Sequence, residues 1–272
     1  MSDQPEVFRD RLSVLLAGAA VGFFLSRVIE LPGRLFGVQA LGTPVGIELN
    51  TYWLTTAFVI ALVVTGTHSV LLSHPLCCQC RARSTFVNWI LPALTALLIG
   101  RWLATFQNTE TWLVAMAIGL IALGYVTTHE YKTVVPDFLA RPSTQLAGAC
   151  MVYALALGLL FMIQGTGARF LLSGPAVLVG CGLLAIRLHW QTGRRFRWLA
   201  LNGGVVGLVM AQTVWVLGYC RLAVLPASLL LLLVFYLATG VVQMAVQERL
   251  GPRSALELGT TAFLAALIIV LL

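Results

Sequence analysis

The chain has 272 residues, of which 59% are hydrophobic and 10% charged, and its mean hydropathy is +0.93. Soluble domains carry about a quarter charged residues, so a water-soluble globular domain is excluded and lipid is the expected solvent. The net charge of +7 would suit nucleic acid in a soluble protein. Here the basic residues sit in short connections between apolar runs, so membrane topology accounts for them and no nucleic-acid partner is implied.

An apolar run of about 20 residues crosses a hydrocarbon core of roughly 30 Å. Such runs fall at 12–29, 51–73, 86–106, 111–129, 145–164, 168–188, 198–219, 223–246 and 255–272. The first is apolar for only about 15 residues before Arg27, so a tilted or partly inserted first helix, and with it eight full spans, is the competing count. The segment before it, MSDQPEVFRDRL, is charged and no convincing small-residue cleavage site follows. This reads as a retained helix and not a signal peptide. The expected fold is an all-α polytopic integral membrane helix bundle of about nine transmembrane helices, one transmembrane domain over 1–272 with no soluble domain.

Assigning the connections alternately to two faces puts Arg9, Arg11, Arg81, Arg83, Lys132, Arg141, Arg187, Arg194, Arg195, Arg197, Arg249 and Arg253 on the N-terminal face. Arg27, Arg34, Arg101, Arg169 and Arg221 fall on the other. This split predicts a multi-pass protein of the cell membrane with a cytoplasmic N-terminus and, for nine spans, Leu272 outside. Trp53, Trp89, Trp102, Trp112, Trp190, Trp198 and Trp215 all fall near predicted span ends, where an amphipathic ring suits the headgroup level.

The longest outer connection, 31–50, mixes Gly, Pro and apolar residues without helical periodicity. It reads as a re-entrant or surface-lying segment, either a passive lid or a binding element. Spans three to eight form three hairpins closed by the turns 106–110, 165–169 and 218–222, with Arg101, Arg169 and Arg221 in or beside them. A decayed repeat of the kind transporters carry is one reading, although little else in the three segments aligns. Gly18-x-x-x-Gly22 and Gly203-x-x-x-Gly207 predict close helix packing, within the chain or in a homo- or hetero-oligomer. Pro92 predicts a kink in span three.

Under this topology His68, His74, His129 and His189 gather at the inner side, followed there by Cys77, Cys78 and Cys80. Imidazoles and thiolates on one face are what a zinc, copper or haem site requires. The Cys77-Cys78-Gln79-Cys80 spacing is not a paired C-x-x-C and no second pair answers it. No metal is therefore assigned and no cofactor is named. Inert thiols, or reversible acylation beside a span end, are the alternatives.

His68 lies inside the inner end of its helix, with Thr51, Thr55, Thr65 and Ser69 close to the same face, so a polar stripe is expected to point into the bundle. An ionisable residue inside a span is a functional candidate, while Ser and Thr can also satisfy themselves on the preceding turn. His129-Glu130 begins like H-E-x-x-H, but Thr133 stands where the second histidine is needed. His68, His74, His129 and Glu130 remain the candidate cofactor-binding or catalytic set. No G-x-S-x-G pattern and no D-x-x-x-D pair is present. Every acidic residue lies at a span end or in a connection, which argues against a proton- or sodium-coupled carrier with a midplane carboxylate.

Arg101, a turn inside the outer end of span three, is placed to snorkel to the headgroups. Arg187, Arg194, Arg195 and Arg197, interleaved with Trp190, Phe196 and Trp198, form a basic and aromatic inner loop expected to contact anionic lipid headgroups. Three functions fit: a non-catalytic scaffold or assembly protein, a carrier for an apolar or lipid-like molecule with 31–50 as outer gate, and a membrane enzyme or cofactor-binding protein at the inner interface.

Overall fold

The computed structural model describes residues 4–29, 34–40, 43–49, 51–73, 85–135, 138, 141–167, 170–190, 195–220, 222–246 and 259–260. The chain is an all-α bundle carrying one β-hairpin. In chain order the helices are α1 (Gln4–Val28), α2 (Thr51–Leu72), α3 (Ile90–Leu103), α4 (Thr109–Lys132), α5 (Pro142–Gly165), α6 (Phe170–His189), α7 (Phe196–Leu217) and α8 (Val224–Val246). Each, α3 together with the 3-10 turn before it (Phe86–Leu103), provides a segment long and apolar enough to cross a membrane, so the described residues hold eight such segments. The apolar stretch within α1, Glu6–Val28, is 23 residues long, as long as its neighbours, because the charged first turns extend the same helix. The ninth expected run, 255–272, lies outside the described residues but for 259–260.

Local signals set several ends. The Asn108 side chain accepts from the Glu110 amide at 3.2 Å and Glu110 stands in the first turn of α4, so both cap and charge suit that N-terminus. Pro142 opens α5, where its missing N–H costs nothing. Gly167, just beyond α5, has a φ of 60°, which a residue without Cβ adopts freely. Pro92 does not break a helix interior. A 3-10 turn, Thr85–Trp89, leads into α3 at Ile90, so Pro92 sits in the first α-helical turn, where its missing donor matters least.

Segment 31–50, expected as a re-entrant or surface-lying stretch, forms a β-hairpin. Strands β1 (Arg34–Ala40) and β2 (Thr43–Leu49) pair antiparallel from Arg34 opposite Leu49 to Ala40 opposite Thr43. The ladder gives backbone groups partners that a helix-poor sequence cannot supply through its own turns.

The chain forms two compact units, Met1–Leu139 and Ala140–Leu272. In the first, α1 packs on α2, α2 on α3, α3 on α4 and α4 back on α1, with a slight α2–α4 diagonal. Its core joins Ala19 and Phe23 of α1, Val59 and Val63 of α2, Ala96 and Ile99 of α3, and Trp112, Ala115 and Leu123 of α4. In the second, α5, α6, α7 and α8 close a ring in the same order, with a slight α6–α8 diagonal. Leu160, Leu184, Leu199, Met210, Leu231 and Phe235 are buried there. The three hairpins read from the turns are shared out by this boundary, one in the first unit and two in the second. Large apolar side chains such as Val14, Phe58, Ile121, Leu146 and Leu201 face outward, which suits lipid and not water.

Candidate functional site

In the first unit α1 and α2 touch at two glycines and part at a third. A Cβ on Gly22 would lie 2.7 Å from Val59, and one on Gly66 would lie 2.9 Å from Leu15. The helices can approach at those points only because the side chains are missing. A Cβ on Gly18 would meet nothing within 4 Å. The gap there belongs to a groove of about 460 Å³, lined on α1 by Asp10, Arg11, Val14, Leu15 and Gly18 and on α2 by Leu62, Thr65, Gly66 and Ser69. That volume is within the range of small-molecule sites, about 300–1,000 Å³.

The polar end of the groove is built from α1. Arg11 Nη1 donates to the Ser69 carbonyl at 2.6 Å and lies 3.4 Å from the Ser69 hydroxyl. Ser69 is in the last turn of α2, where carbonyls lack intrahelical partners and the helix end is negative, so a guanidinium is well placed there. The other end of α1 is tied in the same way. Arg27 donates to the carbonyl of Phe106 at 3.0 Å and to that of Gln107, both just past α3. Ring pairs Phe8–Tyr131, with centroids 4.3 Å apart, and Phe24–Trp112, 6.4 Å apart, join α1 to α4. Trp112 is thereby buried, 3% exposed, despite its place near a span end.

The expected stripe on α2 divides. Thr65 and Ser69 line the groove, and the Thr65 hydroxyl donates back to the carbonyls of Ala61 and Leu62 at 2.8 and 3.0 Å. Thr55 is buried and turned to the Tyr52 carbonyl at 3.1 Å; the side chain of Thr51 lies outside the described residues. His68 faces elsewhere, with its ring edge-on to Trp89 at 5.3 Å between centroids. The His68 Nδ1 and Trp89 Nε1 atoms are buried without hydrogen-bond partners among the described residues.

The other candidates are found in part. His129 and Glu130 are buried in the last turn of α4, Glu130 at 0% exposure. His74, Cys77, Cys78 and Cys80 lie outside the described residues. Among the described residues no three His, Cys, Asp or Glu side chains group as a metal site requires. Sequence reasoning placed Glu130 at a span end and did not see that its carboxyl is enclosed. Burial at a helix end depends on the neighbours, which composition does not name.

Arg187 departs from the expected headgroup set. It is buried at 3% exposure, while Arg195 and Arg197 are exposed and Arg194 lies outside the described residues. One helical turn ends in a polar link between three helices that the sequence did not signal. His189 of α6 has Nδ1 2.8 Å from the Ala185 carbonyl and Nε2 3.2 Å from the Thr239 carbonyl of α8. The Thr239 hydroxyl donates to the Phe235 carbonyl at 2.8 Å and stands 3.1 Å from the Tyr153 hydroxyl of α5. This network holds α5, α6 and α8 together.

Residues 31–272 match the family described as protein of unknown function (DUF5656). The chain belongs to that family. The match takes in the hairpin and α2 to α8, and α1, which carries the arginine ties and one wall of the groove, precedes it. No curated protein and no solved structure matches the chain.

Proposed function

We propose that the protein is a non-catalytic, multi-spanning membrane protein of the accessory or assembly kind, with its N-terminus in the cytoplasm. One observation carries this reading: three polar side chains act as ties between helices. Arg11, Arg27 and His189 each engage backbone carbonyls of another helix or connection, which is the work of structure. The split of basic residues supports the orientation, and the exposed Arg195 and Arg197 are positioned to meet anionic headgroups. An absorption spectrum and metal analysis of the detergent-purified protein test the reading. The expected result is a colourless protein without stoichiometric zinc, copper or iron. A bound chromophore or metal lost on His68→Ala and His129→Ala would overturn it in favour of a cofactor-binding enzyme.

A second reading, a carrier of an apolar or lipid-like molecule, is favoured by the groove between α1 and α2. Transport of a lipid between vesicles by the reconstituted protein, abolished by filling the groove, would move the assignment to it.

A further inference from the structure

We infer that the α1–α2 groove is a one-leaflet site for a zwitterionic membrane lipid with a primary amine beside its phosphate, in chemical terms a phosphoethanolamine lipid. The inference goes beyond the functional reading and holds for a structural lipid or for cargo.

Length is the first argument. From Asp10 to Gly18 the α1 wall rises about 12 Å at 1.5 Å per residue, and one leaflet of the hydrocarbon core is about 15 Å thick. The groove therefore spans most of one leaflet and no more. Its walls suit an acyl chain: Val14, Leu15, Leu62 and the bare backbone of Gly18 and Gly66 are apolar. The one hydroxyl midway, that of Thr65, is engaged with its own helix.

Charge at the open end is the second argument. Asp10 and Arg11 both line the groove, and the Asp10 carboxylate has no ion pair or hydrogen bond among the described residues. Arg11 commits Nη1 to Ser69, while its Nε and Nη2 have no hydrogen bond among the described residues, a fork that fits phosphate oxygens. A lone anionic headgroup would satisfy Arg11 and be repelled by Asp10. A headgroup carrying phosphate and ammonium complements both, and a primary ammonium can donate hydrogen bonds to the carboxylate where a quaternary one cannot.

The test is native mass spectrometry of the full chain in detergent, with equal amounts of dioleoyl phosphatidylethanolamine, phosphatidylglycerol and phosphatidylcholine added. One phosphatidylethanolamine per chain is expected, held roughly tenfold more tightly than either competitor, as one charge-assisted hydrogen bond would give. A Cβ at Gly18 would meet nothing within 4 Å, so Gly18→Leu directs its side chain into the open groove, and is expected to abolish retention while the thermal midpoint stays level or rises. Asp10→Asn is expected to remove the preference over phosphatidylglycerol. Equal retention of the three lipids, or wild-type retention by Gly18→Leu, would overturn the proposal in favour of ordinary annular lipid. Cross-linking of two chains through Gly18→Cys would overturn it in favour of a second copy filling the groove. Both Gly18→Leu and Asp10→Asn leave the Arg11 tie in place, so loss of fold does not confuse the outcome.

Discussion

The two units close the same ring of four helices by opposite means. In the second, α6 and α7 meet backbone to backbone. A Cβ on Gly207 would lie 2.4 Å from the Leu178 carbonyl oxygen, and one on Gly203 would lie 2.8 Å from that of Gly182. In the first, α1 and α2 touch at Gly22 and Gly66 but open at Gly18, and long arginines tie α1 at both ends. A small-xxx-small motif therefore marks a surface that permits approach. Whether the partner helix comes close depends on what that partner presents at the same level. Where it presents Gly182 the contact is tight, and where it presents no matching contact a groove remains.

Substitutions at these glycines should divide the units most sharply. Gly207→Leu forces a side chain into α6 backbone and is expected to destabilise the protein by on the order of 3 kcal/mol, read as a fall in the thermal midpoint in detergent. Gly18→Ala, at the matching motif in the first unit, is expected to cost nothing and to add up to about 1 kcal/mol through helix propensity. Equal losses at both sites would break the contrast.

The ties come next in size. Arg27→Gln removes the charged donor from the Phe106 and Gln107 carbonyls, with an expected loss of about 2 kcal/mol and faster proteolysis in the α3–α4 connection. His189→Leu in the second unit removes the imidazole whose Nε2 stands 3.2 Å from the Thr239 carbonyl, and about 1.5 kcal/mol is expected from the same measurement. Tyr153→Phe should have the smallest effect, about 0.6 kcal/mol, since hydroxyl pairs between membrane helices are weak. If Tyr153→Phe matched His189→Leu, the network would be acting as one unit and not as separate bonds.

What the sequence by itself determined was the solvent and the spans. Runs such as 51–73 and 223–246 coincide closely with α2 and α8, because partition into lipid depends on the composition of about 20 adjacent residues and little else. The motif at Gly203 and Gly207 was legible for the same local reason. The tertiary structure alone decided the fate of the polar residues. Thr65 and Ser69 line a groove while His68, on the same helix, faces Trp89. Arg187 and Glu130 are buried at helix ends, and Arg11 and Arg27 reach carbonyls 58 and 79 residues away. The hairpin over 34–49 and the division into two units are of the same kind. A polar group needs a partner, and which helix supplies it is set by which helices pack together, a relation between distant segments that no local window of sequence contains.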